Sequence, residues 1–366
     1  MQFNLYIFNQ LLKSAVALLV VLMSIIWLFQ TIRLLELIVN RGAGAGEFLL
    51  MSVASMPLWL MIAVPISCFI SVNWVFNRIL ADRELLVMQS VGLSPLQLAK
   101  APIALGLLMT GFLAVNSVYI LPASFGVYKD LQFKLRNSIP DILLRDGVFI
   151  DVVDGMTMFI GTREDNDVMR DIFIYDARID DRIITMTAES GQFMENATPP
   201  TLVLRNGERS ERSPAGKSGA VLLFETHSLR ITRDNDGPGQ RSSIDMNEDS
   251  ITNLFSPDKS ASPIYFPYRY AEGHYRIASP LLALALCLLP AAIILRGQIR
   301  RDLWSRRAFT NISACILVII FLVMARSTVS NNVGLWPLLY LSVAVPIGAG
   351  FWLLRPRPIP TKEVMT

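Results

Sequence analysis

Charged residues are scarce in this 366-residue sequence: they make up 17% of it, against 52% hydrophobic residues. A soluble domain carries about 25% charged residues, so this balance indicates that lipid surrounds much of the chain. Basic and acidic residues nearly cancel, at 33 against 30. No basic block is dense enough for nucleic acid, and we expect no nucleic-acid partner.

Cysteine and histidine are also rare. The three cysteines all fall inside apolar runs, which disfavours a disulfide framework or a zinc site: Cys68, Cys287 and Cys315. His227 and His274 lie far apart without ligand-type neighbours. The stretch 216–218 ends like a phosphate-binding loop but lacks its first glycine. We therefore expect no metal, no cofactor and no catalytic residue.

Long apolar runs are what the sequence has in abundance. A membrane-spanning helix needs roughly 20 apolar residues, and six runs reach or approach that length. They are 15–38, 48–75, 102–121, 277–295, 308–325 and 335–354. The first is longer than a signal-peptide core and has no small-residue cleavage site, so we predict six spans and no cleaved signal.

Basic residues of the short loops collect on one side of these spans. They lie near residues 13, 78–100, 296–307 and 355–362, whereas the opposite short loops hold few. The positive-inside rule then places both termini and the loop after span two in the cytoplasm. The long polar section between spans three and four lies outside.

A short amphipathic segment, residues 78–97, separates the second and third apolar runs. Asp82 and Glu84 would lie in the first turn of a helix, where carboxylates suit the helix dipole. Gly92 would end that helix. Its apolar residues recur at spacings of three, with no core of their own to bury them: Leu85, Met88 and Val91.

A second helix is predicted directly after the first. Ser94 is its N-cap, Pro95 its first residue, and Gln97 completes a capping box. Two interpretations of the whole segment stay open. It either lies in the lipid interface, or it is a coupling helix that docks into a groove of a cytoplasmic motor subunit.

Residues 122–273 change to the period of β-strands. Runs rich in Ile, Val, Phe, Tyr and Thr recur at 147–153, 156–161, 171–177, 183–188, 201–205 and 220–232. Asp154-Gly155 and Asn206-Gly207 are hairpin turn signals. The pattern predicts an antiparallel sandwich or roll inserted into an α-helical membrane protein. The predicted domains are 1–121, 122–273 and 274–366.

Charge is nearly absent inside the spans, which argues against an ion-coupled pump. The exceptions lie at the outer ends of spans one and five: Arg33 with Glu36 one turn away, and Arg326. Each arginine either extends to the membrane surface as an anchor or contacts the phosphates of an anionic head group.

Together these motifs resemble the LptF/LptG permeases of the bacterial lipopolysaccharide exporter, over almost the whole chain. The most specific residues are Glu84-Leu85 with Met88, Gly92, Leu93 and Ser94; Glu189-Ser190-Gly191; and Ala271-Glu272 with Arg276. Three details are closer to the LptF branch: Arg33, Glu189-Ser190-Gly191 and the loop Ser330-Asn331-Asn332.

The resemblance implies a set of partners in the inner membrane of a Gram-negative bacterium. They are a paralogous LptG-like permease, a dimer of the LptB-like ATPase in the cytoplasm, LptC-like and LptA-like jellyroll proteins in the periplasm, and lipopolysaccharide. The segment 78–97 would couple to the ATPase through Arg83, Glu84, Leu85, Met88 and Gly92. Arg33, and with it Arg326, would contact lipid phosphates.

The inserted domain would then be a periplasmic β-jellyroll with a trough for acyl chains. Inward positions expected to line the trough, or an ordinary core, are Val148, Ile150, Phe159, Phe173, Tyr175, Leu202, Leu204, Leu222 and Phe224. The expected function is that of a non-catalytic permease subunit. The alternative is a membrane-anchored scaffold or sensor, and a co-purifying ATPase or a co-purifying kinase would discriminate between the two.

Overall fold

The computed structural model describes residues 2–41, 44–137, 146–153, 155–164, 168–179, 182–194, 201–212, 220–230, 244–256, 265–296 and 304–355. The helices are α1 (Gln2–Arg41), α2 (Ala45–Ala81), α3 (Glu84–Ser90), α4 (Pro95–Leu98), α5 (Lys100–Val115), α6 (Leu121–Asn137), α7 (Ile251–Phe255), α8 (Phe266–Ala278), α9 (Leu281–Arg296), α10 (Trp304–Asn331) and α11 (Pro337–Leu353). The strands are β1 (Phe149–Val153), β2 (Met156–Arg163), β3 (Met169–Ile179), β4 (Arg182–Phe193), β5 (Thr201–Arg212) and β6 (Ala220–Arg230).

Helices long and apolar enough to cross a membrane dominate the described chain. Five stretches qualify by length and composition: Phe3–Leu34, Ala45–Ala81, Lys100–Leu135, Ala308–Asn331 and Val333–Leu353. A sixth span results if α8 and α9 are counted together, since a bend of 48° separates them. Pro280 lies at that bend and has no N–H to continue the helix. The predicted membrane fold with an inserted β domain is confirmed.

Two compact units divide the chain. Residues 1–30, 53–127 and 245–366 form the helical unit, and residues 31–52 and 128–244 form the β unit. The β unit thus includes one end each of α1, α2 and α6, which pack together through Leu34, Met51 and Leu135.

Helix α9 is the centre of the helical unit, and nearly all of its residues are buried. Glycines on α5 and α11 allow close approach to it. A Cβ at Gly106 would lie 2.9 Å from Leu284 Cα, and one at Gly350 would lie 2.7 Å from Leu288 Cγ. Small residues at helix crossings are the usual means of tight packing in membranes.

The β unit contains one antiparallel sheet with the strand order β1-β2-β3-β4-β5-β6, a consecutive meander. Residues paired across strands share a face. One face carries the buried core, which centres on Met158, Ile174 and Met186. Met156, Ile160, Ile172, Leu202 and Leu204 complete that core.

An ion pair is buried on the core side of β3. Asp176 pairs in register with the buried residues Met156 and Ile184, and its carboxylate lies 2.6 Å from the Arg178 guanidinium. Burial raises the pKa of the Asp176 carboxyl, but the hydrogen bonds and charge of Arg178, with the charge of Arg209, lower it further than burial raises it. The net pKa lies below the usual value.

Stability of the sheet should therefore depend on the charge of Asp176. A carboxyl with a lowered folded-state pKa stabilises the fold above its unfolded pKa of about 4, and that stabilisation disappears as pH falls through the folded-state value. We expect acid to destabilise the sheet of the wild-type chain more steeply than that of Asp176→Asn. Urea unfolding of the purified chain in detergent, followed by β-sheet circular dichroism from pH 7 downwards, measures this; parallel curves would contradict it.

Candidate functional site

The segment between α2 and α5, residues 82–98, forms a sharp turn with two short helices, and we call it the elbow. Helix α2 continues to Ala81, and Arg83 adopts a left-handed φ of 59° before α3 begins at Glu84. The prediction of one helix from residue 78 with Asp82 in its first turn was wrong. Asp82 instead lies 3.7 Å from Arg78, one turn back. The hydrophobic pattern of the second apolar run does not show where its helix ends, so the end of α2 could not be predicted from the sequence.

The second half of the elbow matches its predicted capping chemistry. Gly92 has a φ of +87°, a conformation that favours glycine. The Ser94 backbone N–H donates to Gln97 Oε1 at 2.9 Å, and the Gln97 N–H donates to Ser94 Oγ at 3.3 Å. The capping box and Pro95 at the start of α4 are confirmed.

The elbow buries one apolar face against the helical unit and exposes another. Leu85 is only 2% exposed, and Met88 packs partly against the same core. The expectation that this face lacks a core was therefore wrong. Val87 and Val91 are 63% and 77% exposed, and Leu96 is also exposed. The predicted spacing of three placed Val91 on the same face as Leu85. In the structure Val91 instead shares the exposed outer face with Val87, four residues earlier.

Charged residues accompany that outer face. Arg83 and Glu84 are both exposed at the start of α3. The surface formed by Arg83, Glu84, Val87, Val91 and Leu96 has the mixture of apolar and charged groups typical of a protein contact. Of the five residues predicted for coupling, Arg83 and Glu84 lie on this surface and Gly92 shapes the turn, while Leu85 and Met88 support it from below.

The predicted phosphate ligand Arg326 already has a partner. Its Nη2 lies 2.6 Å from Glu272 Oε2, and its guanidinium lies 4.6 Å from the centre of the Tyr275 ring. Glu272, on α8, also lies 3.6 Å from Arg276 Nε, one turn along the helix. Nearly half of the Arg326 side chain, 45%, remains exposed.

Arg276 is the largest of the fully buried side chains in the described chain, although the sequence singled it out only as a family motif. It donates to the carbonyl oxygens of Asp249 and Met246, both at 2.6 Å. Arg276 thus holds the segment that returns from the β unit onto α8. A glutamate and an arginine four residues apart at the start of an apolar run were the available signal.

Arg33, the other predicted phosphate ligand, is exposed on α1. It belongs to the β unit of the chain, and Arg326 to the helical unit.

The predicted trough residues divide between the two faces of the sheet. Leu204 is buried in the core, Ile150 pairs in register with the core residue Met158, and Phe224 is partly buried and packs against the core. Phe173 pairs with Phe159 and Thr187 on the opposite face, so grouping it with Leu204 was wrong. Val148 precedes β1 and is exposed.

The wrong assignment of Phe173 to the same face as Leu204 has a simple cause. Strand β3 is apolar at consecutive positions, so its sequence does not reveal which side is buried. Residues of the opposite face form an aromatic row, in which the Phe149 ring lies 4.9 Å from Phe159 and 6.3 Å from Phe173. A shallow depression of about 380 Å³ beside this row is bordered by Glu189 and Asn206.

The described residues contain no group of three or more His, Cys, Asp or Glu side chains that could hold a metal ion. The stretch 216–218, discounted as a phosphate loop, lies outside the described residues.

The apolar helices before and after an inserted β domain define the class: a polytopic membrane protein. Comparison with known families makes this specific. The model of the family described as lipopolysaccharide export system permease LptF/LptG matches residues 5–356. The chain belongs to the LptF/LptG family, as its motifs predicted.

Individual relatives cover similar lengths. The chain is 25% identical over 337 residues to an uncharacterized protein of Rickettsia prowazekii, covering 90% of this chain and 92% of that one. It is 21% identical over 358 residues to the lipopolysaccharide export system permease protein LptF of Escherichia coli K12, covering 93% and 92%. LptF of Shigella flexneri matches to the same extent. The expected likeness to LptF agrees with these matches.

Proposed function

We propose that this chain is the non-catalytic LptF-like permease subunit of an ATP-driven exporter that extracts lipopolysaccharide from the inner membrane. Its partners are an LptG-like permease, an LptB-like ATPase dimer in the cytoplasm, and LptC-like and LptA-like periplasmic proteins. Both termini and the elbow are cytoplasmic, and the β unit is periplasmic. Family membership and the exposed elbow support this assignment.

The elbow is the observation that carries the proposal. A non-catalytic permease subunit must receive mechanical work through a contact with its ATPase. Val87, Val91 and Leu96 form an apolar surface that fits a hydrophobic groove, with Arg83 and Glu84 beside it for charge pairing. Because Leu85 anchors α3 to the helical unit, displacement of the elbow is transmitted to the membrane helices.

The cavity for lipid requires a second permease. Residues on α1 and α10 expose large apolar side chains, among them Phe29, Ile32, Phe321 and Met324. Such surfaces contact lipid or another helical subunit. A substrate with several acyl chains needs a wider cavity than one subunit encloses, so the LptG-like paralogue completes it.

The β unit passes the lipid onward. Strand β6 is an edge of the sheet and exposes Val221 and Leu223. Among the described residues no strand pairs with the outer edge of β6, and such an edge accepts a strand from another β domain, which is how we propose that the LptC-like protein continues the sheet. The core face with Ile150, Leu204 and Phe224 is then the side on which acyl chains travel.

Purification of the chain with its native partners tests the proposal. An ATP-hydrolysing subunit should co-purify, and mass spectrometry should identify bound lipopolysaccharide. A kinase or regulator in place of the ATPase would instead support the sensor interpretation. Labelling of Val91→Cys from outside intact cells would reverse the proposed topology and overturn the assignment.

Charge reversal at Arg33 tests the contact with lipid phosphate. We expect Arg33→Glu to reduce lipopolysaccharide release from reconstituted vesicles about tenfold, because a charge-assisted hydrogen bond is replaced by repulsion. The protein should still fold, since the side chain is exposed. Arg170→Glu, at an exposed arginine paired with Glu164 in the β unit, is the matched control and should export normally. Normal export by Arg33→Glu would exclude the contact.

A further inference from the structure

The ion pair between α8 and α10 has an unusual arrangement. Glu272 is shared by two guanidinium groups, Arg326 at 2.6 Å and Arg276 at 3.6 Å. The carboxylate is 96% buried, while Arg326 is nearly half exposed. Among the described residues, Glu272 Oε2 accepts no well-aligned hydrogen bond, although Arg326 lies so close. The contact is therefore a close charge pair in which one partner is buried and the other is open to solvent.

We infer that Glu272 is an internal counter-ion that an anionic group of the lipid substrate replaces at Arg326, which loosens the outer end of α10 from α8. This inference rests on the proposed function, because it takes the lipid phosphate as the incoming anion. Arg326 presents its exposed side to such a group and keeps its place against the Tyr275 ring.

The exchange leaves no buried charge without compensation. When Arg326 turns to the substrate, Glu272 keeps Arg276, which lies on the same helix one turn away. Arg276 in turn keeps its two carbonyl acceptors, Met246 and Asp249. A buried carboxylate stripped of every cation would be strongly destabilising, and the second arginine removes that barrier.

Only one of two connections on α8 is released by this exchange. Arg326 provides the charge contact with α10, beside the apolar packing of Ala271 against the α10 side of the core, whereas the Arg276 hydrogen bonds hold the return segment. The substrate anion therefore frees the end of a membrane helix while the segment leading back from the β unit stays attached to α8.

Distance measurements test the inference directly. Spin labels at Tyr268→Cys on α8 and Thr328→Cys on α10 report the contact that should loosen, and labels at Tyr268→Cys and Asn253→Cys report the contact that should hold. These positions are exposed, and Cys68, Cys287 and Cys315 are buried. The measurement uses the assembled complex in nanodiscs, with lipid A carrying two phosphates or the same lipid with both phosphates removed.

The expected result is specific to charge. Phosphorylated lipid A should lengthen or broaden the 268–328 distance and leave the 268–253 distance unchanged, while the dephosphorylated lipid should change neither. In Glu272→Gln the lipid-free distance should already resemble the lipid-bound one. The preference for phosphorylated over dephosphorylated lipid should also rise about fivefold, because the competing carboxylate is gone. Arg326→Gln should reduce that preference and abolish the change in the 268–328 distance, and Arg170→Gln should match wild type.

Failure of the inference and failure of the proposed function give different results. If phosphorylated lipid A binds the wild-type complex, as native mass spectrometry would show, but the 268–328 distance does not change, the counter-ion exchange is excluded and the permease assignment stands. The exchange is equally excluded if Glu272→Gln leaves the lipid preference unaltered while its thermal stability matches wild type. If no lipid A binds the wild-type complex, the proposed function itself fails.

Discussion

Replacing Val87 and Val91 together by aspartate is expected to abolish lipopolysaccharide export and to remove the ATPase from the purified complex. Both side chains point away from the helical unit, so two carboxylates there leave the fold intact but cannot enter a hydrophobic groove. Burying a charged group without a partner costs at least the roughly 2 kcal/mol of an unsatisfied polar group, so two carboxylates should outweigh the binding energy of the contact. Co-purification of the ATPase and export from reconstituted vesicles measure the loss.

Leu85→Ala is the matched comparison for the elbow. Its side chain lies in the core of the helical unit, and its truncation is expected to cost about 2–5 kcal/mol of stability. The double aspartate variant should therefore melt like wild type and lose the ATPase, whereas Leu85→Ala should melt at a lower temperature. If the aspartate variant retained the ATPase and exported normally, the outer face of the elbow would not be the docking surface.

Gly207→Ala is expected to disrupt the β unit, the second large effect. A Cβ at this position would overlap the Thr187 carbonyl oxygen and lie 2.6 Å from Phe224 Cζ. Neither atom can move freely, because one belongs to the backbone of a central strand and the other to a ring against the core. Overpacking of this severity costs about 3 kcal/mol or more. Thermal unfolding of the purified chain and periplasmic protease sensitivity in cells would detect it.

Gly111→Ala provides the control for that substitution. Gly111 lies in α5, and a Cβ there would meet no atom within 4 Å. Alanine favours helix over glycine by roughly 0.5–1 kcal/mol, so this variant should be as stable as wild type or slightly more so. If the β unit tolerated Gly207→Ala, the Thr187 carbonyl oxygen and the Phe224 ring would have to lie farther from Gly207 than they do in the structure.

The capping chemistry of the elbow illustrates what local sequence decides. Ser94, Pro95 and Gln97 act within one turn of chain, and their predicted arrangement is present. Burial of the neighbouring Leu85 and Met88 was not predictable, because the core cluster that contains them also draws residues from α1, α5 and α9, which are far apart in sequence. The exposed apolar face of the elbow therefore contains Val87 and Val91, of which the predicted spacing had included only Val91.

In the sheet, too, some features could be predicted from local sequence and others could not. Its strands followed from β-rich runs, but the predicted turn at Asn206-Gly207 was wrong, because both residues lie inside β5. The buried face was not predicted either, because Phe173 and Tyr175 alternate with Ile172 and Ile174 in one apolar run. Arg326 is a further case: its position at the end of a span was visible, and its partner Glu272 was not.

By itself, the sequence determined the membrane fold, the inserted β domain, the helix caps and the family, because hydrophobic length, periodicity and local hydrogen bonding act over short stretches of chain. Only the tertiary structure decided which face of the elbow is free, which face of the sheet is core and which carboxylate holds Arg326. These depend on contacts between segments far apart in sequence, whose side chains must exclude water or pair charges together.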